Sequence, residues 1–483
     1  MQKLDSLATD YDVLVIGAGI SGLAAAYALH QRGARVVVVE ARAEVGGSIR
    51  SEVTPEGFVV ENGPNTVVNR DPAIWQQLST LGIEAERLTA DRSSGKRYIV
   101  LNGKPTLIPT SPPALIKSDL LSPIAKLRML AEPLIPPACT PDESVAAFFT
   151  RRIGREPMQH LIDPFVSGIY AGDPQALSVQ ATFPTLWEAE QQHGSILRGM
   201  LAKAFTAKPT KAPPPTNGDP AQPTPKREKS VMFSFRKGLA TWPRALAQAL
   251  GSERVWLNAP VQRLYPAAQG WEATVLREQQ PVTVTAAQVV LAAPAHVLAG
   301  LVAVFDREAS RALAAMPGYP LSVVHLGYRR EDVSDPLDGF GALCPARERR
   351  NVLGILYPSS LFAGRAPAGT VLTTTFVGGA RMPHLAEYDD AALVDLVRRE
   401  HAALIGAHGE PIFVRIARWE RAIPQYVAGH AARLAVLRES ETRYPGLYYL
   451  GNYRDGVSVE KCWHKGTALG ATLSLTRAAG VPV

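Results

Sequence analysis

One stretch constrains the fold more than any other: DVLVIGAGISGLAAAYALHQRGARVVVVEA, residues 12–41. Val13–Ile16 is a continuous apolar run, the pattern of a strand covered on both faces. Gly17, Gly19 and Gly22 follow as G-x-G-x-x-G, then an alanine-rich helical stretch ended by Gly33, then a second strand over Arg35–Val39. The unit reads as βαβ. The first glycine permits the tight turn, the second lets a pyrophosphate reach the backbone, and the third lets helix and strand touch. Free amides at the helix start face the phosphates. Glu40 closes the second strand 18 residues past Gly22, placed for a ribose hydroxyl and against a 2′-phosphate. A lone G-x-G-x-x-G equally describes a glycine-rich helix–strand contact; its flanking strand, helix and acid make it a dinucleotide motif.

The uncharged run Val13–Leu29 also excludes two alternatives. Asp10 and Asp12 precede it where a signal peptide has basic residues, and no cleavage-like site follows. Its 17 residues, broken by three glycines, fall short of the roughly 20 that a membrane helix needs. No other stretch is long enough to span a bilayer, so a soluble or peripheral protein of the cytoplasm, or of the cytoplasmic face of a membrane, is expected. With 483 residues, two or three domains are expected. The net charge of +7 invites a nucleic-acid reading, but much of it sits in one segment. Residues 208–229 carry Lys208, Lys211, Lys226, Arg227 and Lys229 against Asp219 and Glu228, among seven prolines. That composition predicts a disordered loop over 206–230 and no nucleic-acid partner. Cys139, Cys344 and Cys462 stand far apart, which argues against a disulfide framework or a metal site. His325, His430 and His464 stand singly and read as structural.

The residues after Glu40 turn the dinucleotide reading toward FAD. EARAEVGGSIRSE adds Arg42, Gly46, Gly47 and Ser48, and resembles the extension of glutathione-reductase-like and amine-oxidase-like flavoproteins. Gly63 and Pro64 in VENGPNTV make a turn of the kind that passes close to a flavin there. Near the C-terminus, GLYYLGNYRDGVSVEKCWHKG places Gly451 and Asn452 after an apolar strand, then Val457, Ser458 and Val459 at a helix start. A positive helix end there stabilises the negative charge of a reduced flavin. WLNAPVQRL (256–264) and AAQVVLAAPA (286–295) read as strands returning to the same sheet, with the Val261 backbone against adenine. The expected fold is α/β and α+β: a discontinuous Rossmann-like FAD-binding domain (11–78, 232–298, 440–478), a mixed-sheet substrate domain (79–109, 299–439) and a helical subdomain (110–205).

PFVSGIYAGDPQALSVQATFP (164–184), KRYIVLNGKPTLIP (96–109), GFGALCP (339–345), RWERAIPQYVAGH (418–430) and GNYRDGVSV (451–459) together resemble the oxygen-dependent protoporphyrinogen oxidase family over nearly the whole chain. The resemblance implies noncovalent FAD, six-electron oxidation of protoporphyrinogen IX to protoporphyrin IX, and three H2O2 from O2. Coproporphyrinogen III and another amine-oxidase-like chemistry are the alternatives. It also implies a propionate-binding Arg97, a ring-stacking Phe362 (aligned with a one-residue gap) and an aliphatic wall at Leu343. Gly168, in GIYAGDP, is expected on a loop that lets backbone lie against a flat macrocycle. The apolar, Pro-broken stretch 110–150 reads as a core helical subdomain or an interfacial patch, and the resemblance implies peripheral membrane contact there. The next pathway enzyme, ferrochelatase, and a second copy of the chain are the expected protein partners.

Overall fold

A computed structural model describes residues 9–109, 111–138, 140, 142–206 and 230–475. The basic, Pro-rich segment and Cys139 lie outside the described residues. The βαβ unit forms as read: β1 is Tyr11–Ile16, α1 is Ile20–Gln31 and β2 is Val36–Val39. β1 pairs in parallel with β2 and with the last residues of a long strand, Gln280–Leu291. The first part of that long strand pairs antiparallel with Trp271–Arg277, which pairs with Val261–Pro266. Its end instead pairs in parallel with Leu447–Tyr449. One strand thus belongs to the nucleotide sheet at one end and to a meander at the other.

One expected strand divides in two. Residues 256–264 were read as a single run, yet Val255–Trp256 lies beside β2 at one edge of the sheet and Val261–Pro266 at the other. Asn258, at φ 51, turns the chain between them. The crossing passes Glu40, whose amide bonds the Trp256 carbonyl and whose carbonyl accepts from Ala259.

A second sheet of seven strands runs in the order Phe413–Trp419, Leu321–Arg329, Thr370–Gly378, Gly354–Leu356, Gly341–Leu343, Tyr98–Leu101, Lys104–Leu107. All its pairs are antiparallel except Gly341–Leu343 with Tyr98–Leu101. Its core carries two buried histidines: His325 on Thr374, and His401 between the hydroxyls of Tyr328 and Thr375. Smaller sheets join Ser51–Val53 with Val59–Glu61, and Val231–Phe235 with Val67–Asn69 and Arg87–Thr89.

The helices of residues 112–206 pack on a buried ion cluster. Arg152 and its partners Glu132 and Glu190 are all fully buried, and Arg151 joins Glu190 to Glu143. Removing one member leaves an uncompensated buried charge, so the cluster holds as a unit. The apolar stretch beside it divides: Leu120 and Leu121 face inward, whereas Ile124, Leu127, Leu130 and Leu134 are 63–82% exposed.

The N-terminal and C-terminal motifs meet through side chains. Gln77 Oε1 accepts both indole N–H groups of Trp242 (3.0 Å) and Trp463 (2.6 Å). Gln77→Leu keeps the packing but strands two buried donors, each costing roughly 1–3 kcal/mol. Thermal unfolding of that variant is expected at a clearly lower temperature than Gln77→Glu, which keeps an acceptor.

Candidate flavin and substrate site

Glycines shape the first half of the site because no side chain fits there. A Cβ on Gly22 would lie 2.1 Å from the Gly17 carbonyl oxygen, and one on Gly17, at φ 109, would meet the Ala292 backbone at 2.9 Å. The second glycine turn faces the first. Gly46 pairs with Gly19, the Gly46 amide bonds the Ala18 carbonyl at 2.8 Å, and a Cβ on Gly47 would lie 3.1 Å from Gly19 Cα. Gly19 caps α1 without a side-chain bond, so the first-turn amides remain for a ligand. Glu40 Oε2 accepts from Ala18 N (2.9 Å) and Oε1 from Arg42 N (3.1 Å); Arg42 also reaches the Gly47 carbonyl at 2.9 Å. A carboxylate offers about four lone-pair sites, so Glu40 keeps acceptor capacity for a ribose. Val261 follows the crossing that touches Glu40 and is half-buried.

The flavin side is built the same way. A Cβ on Gly63 would lie 1.9 Å from the Ser48 carbonyl oxygen, which brings the Gly63–Pro64 turn against the Gly46–Ser48 turn. Trp419 fastens it from the second sheet: its Nε1 bonds the Asn62 carbonyl at 2.7 Å and its ring lies under Arg50. Gly451, Asn452 and Val457 are half-buried. Between them stands a short helix, Asn452–Asp455. Ser458 caps Val459–Thr472 by accepting from Lys461 N at 3.3 Å.

A feature missed in the sequence sets the two halves together. Cβ atoms on Gly466 and Gly470 would lie 2.2 Å from the Ser21 carbonyl and 2.5 Å from the Ala25 carbonyl of α1. Both contacts advance by four residues, so the helices run parallel and their N-termini point the same way. Gly-x-x-x-Gly at 466–470 carried that signal. Two positive helix ends and a ring of side-chain-free turns fit a dinucleotide with a flavin. Cys462 is buried, its thiol directed at the Gly456 carbonyl at 3.6 Å.

Two expected substrate residues touch. Gly168 is exposed, and a Cβ there would lie 2.7 Å from Leu343 Cδ2. Gly168 is not on a loop, however. It stands in the last turn of the helix Asp163–Tyr170, which ends at Ala171 in the left-handed conformation, φ 48. Polar composition misled here, because Pro174 falls beyond the helix rather than inside it. Asp163, unread in the sequence, holds the contact: it pairs with Arg381 at 3.0 Å and accepts from Ala346 N at 2.7 Å, just past Leu343. Arg97 is exposed at the start of the strand beside Leu343, its guanidinium 5.3 Å from the Phe340 ring centre. Phe362 is 2% exposed and stacks on Arg365, which forms a buried 3.1 Å pair with Glu61 of the small strand Val59–Glu61. No described contact joins Phe362 to Leu343 or Arg97.

His325 on the second sheet, His401 on the helix Asp390–Ile405 packed against it, and His430 beside Tyr426 are held neutral. Burial pushes His325 and His401 down to about 3 and His430 to about 4. Unfolding returns each to its ordinary value, so below that value the unfolded chain binds more protons than the folded one. Their contribution is complete above pH ~6.5 and is lost as pH falls toward 4. The melting temperature is expected to be level above pH 7 and to drop between pH 6.5 and 4, less steeply in His430→Phe. An unchanged slope in that variant counts against the assignment.

The family model of flavin-containing amine oxidoreductases matches residues 20–468. A mitochondrial protoporphyrinogen oxidase from Nicotiana tabacum is 35% identical, over 94% of this chain and 93% of that protein. A coproporphyrinogen III oxidase from Bacillus subtilis (strain 168) is 28% identical over 94% of this chain and 96% of its own length. A crystal structure from Exiguobacterium sp. 255-15 shares the fold, with TM-score 0.76 at 23% identity, over 96% of this chain and 98% of that one. The chain therefore belongs to the protoporphyrinogen/coproporphyrinogen oxidase family of flavin-containing amine oxidoreductases.

Proposed function

We propose that this chain oxidises protoporphyrinogen IX to protoporphyrin IX, passing six electrons through FAD to three O2 and releasing three H2O2. The observation that carries the reading is the contact of the exposed Gly168 with the half-buried Leu343, in a chain with full-length likeness to the tobacco enzyme. FAD is held noncovalently by Gly17, Gly19, Gly22, Glu40, Arg42, Gly46, Gly47, Ser48, Gly63, Pro64, Val261, Gly451, Asn452, Val457, Ser458 and Val459. When bound, it supplies a hydride acceptor that dioxygen reoxidises. The segments 11–78, 232–298 and 440–478 serve the cofactor, and 79–109 with 299–439 serve the substrate.

What the chain itself does is position and anchor. Leu343 and Gly168 present an apolar surface to a ring. Arg97 offers a planar fork to a propionate, which lysine lacks. No acid–base pair is required of the protein if the tetrapyrrole nitrogens carry the protons, so holding two rings in register is the main task.

Among the described residues, no helix is long and apolar enough to cross a membrane. Ile124, Leu127, Leu130 and Leu134 stand out into solvent, and we assign them to a peripheral membrane surface that receives a poorly soluble substrate. Ferrochelatase and a second copy of the chain are the protein partners this reading adds.

Anaerobic mixing of the holoprotein with protoporphyrinogen IX is expected to bleach the flavin as porphyrin fluorescence rises, faster than with coproporphyrinogen III. The likeness to the Bacillus enzyme makes the reverse order the competing outcome. Bleaching with neither substrate sinks the reading. Arg97→Ala should raise KM more than it lowers kcat, roughly tenfold for a lost charge-assisted pair. In flotation with anionic lipid vesicles, the wild type should rise with lipid and the Leu127→Ser/Leu130→Ser/Leu134→Ser variant should stay behind; equal flotation excludes the assigned surface.

A further inference from the structure

We infer that Tyr426 is a positioning residue that sets the spacing between the flavin turn and the substrate helix. This rests on the flavin and substrate surfaces assigned above. A phenol has one proton to give and lone pairs to accept. Tyr426 uses both functions on the same turn: its hydroxyl donates to the Asn452 carbonyl and accepts from Gly456 N at 3.0 Å. Those two groups bracket the short helix after Gly451, so the hydroxyl closes the flavin-side turn from outside.

The ring is gripped by two other rings. His430 stacks on it, centroids 4.2 Å apart at 21°, and Tyr170 meets it edge-on at 5.9 Å. Tyr170 is the last residue of the helix that carries Gly168. The chain on both sides of Tyr426 is stitched to the same segment. Gln425 Nε2 donates to the Tyr170 carbonyl at 2.7 Å, Ser178 N donates to the Tyr426 carbonyl at 2.8 Å, and Leu177 pairs with Val427. A side chain at Gly172 would collide with Gln425 Oε1 at 2.6 Å, so the segment after the helix lies directly on this residue pair. Residues 425–427 therefore form a wedge with one end in the flavin turn and the other against Tyr170–Ser178. A rigid wedge in that place fixes how far the Gly168–Leu343 surface stands from the turn at Asn452–Gly456. Near-attack geometry is sensitive to shifts on the order of 1 Å.

The test removes one oxygen atom, with Tyr426→Phe prepared as holoprotein. Tyr328→Phe serves as the control, because Tyr328 is also buried and hydrogen-bonded but belongs to the second-sheet core. In Tyr426→Phe the FAD dissociation constant, read from flavin fluorescence without any porphyrinogen, is expected to rise about tenfold. Flavin reduction at saturating protoporphyrinogen IX should slow about tenfold, with KM within about threefold of wild type. Tyr328→Phe should lower the melting temperature and leave FAD affinity and reduction rate as they were. If Tyr426→Phe shows only a lowered melting temperature, or no change, the inference is overturned. A wild type inert toward porphyrinogens would sink the substrate reading alone, since FAD affinity is measured without it.

Discussion

The structure depends on one close contact between helices from opposite ends of the chain. Gly466 and Gly470 let Val459–Thr472 lie against the backbone of Ile20–Gln31, with Ser21 and Ala25 carbonyls where side chains would otherwise stand. Arg32 completes the contact by donating to the Gly470 and Leu473 carbonyls, at 2.6 and 2.8 Å. Any Cβ at these glycines forces the helices apart, and with them the first glycine turn and the Gly451–Val459 segment. Because the helices run parallel, their positive ends reinforce one another on the same side of the sheet. Strands from the middle of the chain, Gln280–Leu291 foremost, complete the nucleotide sheet, and the second sheet is hung on this frame.

The second sheet is tied to the small strands by buried charge and hydrogen bonds as well as by the Phe58–Phe413 core contact. Arg365 reaches Glu61 and Ser234, and Trp419 reaches Asn62. Glu61 lies almost wholly out of water, which raises its carboxyl above the usual range despite the Arg365 pair and the Ser51 hydroxyl. Such contacts cost desolvation and return geometry: each is satisfied at one relative placement of the two sheets. Asp163 does the same on the substrate side, tying the helix of Gly168 to the segment that follows Leu343.

Much of the cofactor half was legible in the sequence, because each motif is a local device. A strand, a glycine turn and a helix start are written within about ten residues, and the β1–α1–β2 unit and the helix that starts at Val459 form as read. The substrate half was legible only through family resemblance. Gly168 and Leu343 are 175 positions apart, and no periodicity joins them. Local composition even misplaced Gly168 on a loop, and it merged 256–264 into one strand because a single Asn258 in the left-handed region leaves no mark on an apolar pattern.

By itself the sequence determined the nucleotide frame: the βαβ unit, the acid after β2 and the capped C-terminal helix follow from φ freedom, hydrophobic period and capping chemistry within short windows. Only the tertiary structure decided what faces that frame. The parallel sense of the two helices, the inward Phe362, the Asp163 clamp and the Tyr426 wedge arise from packing between segments hundreds of residues apart. Their identities are specified by the space and the unpaired polar groups that other segments leave, and those exist only once the chain has folded.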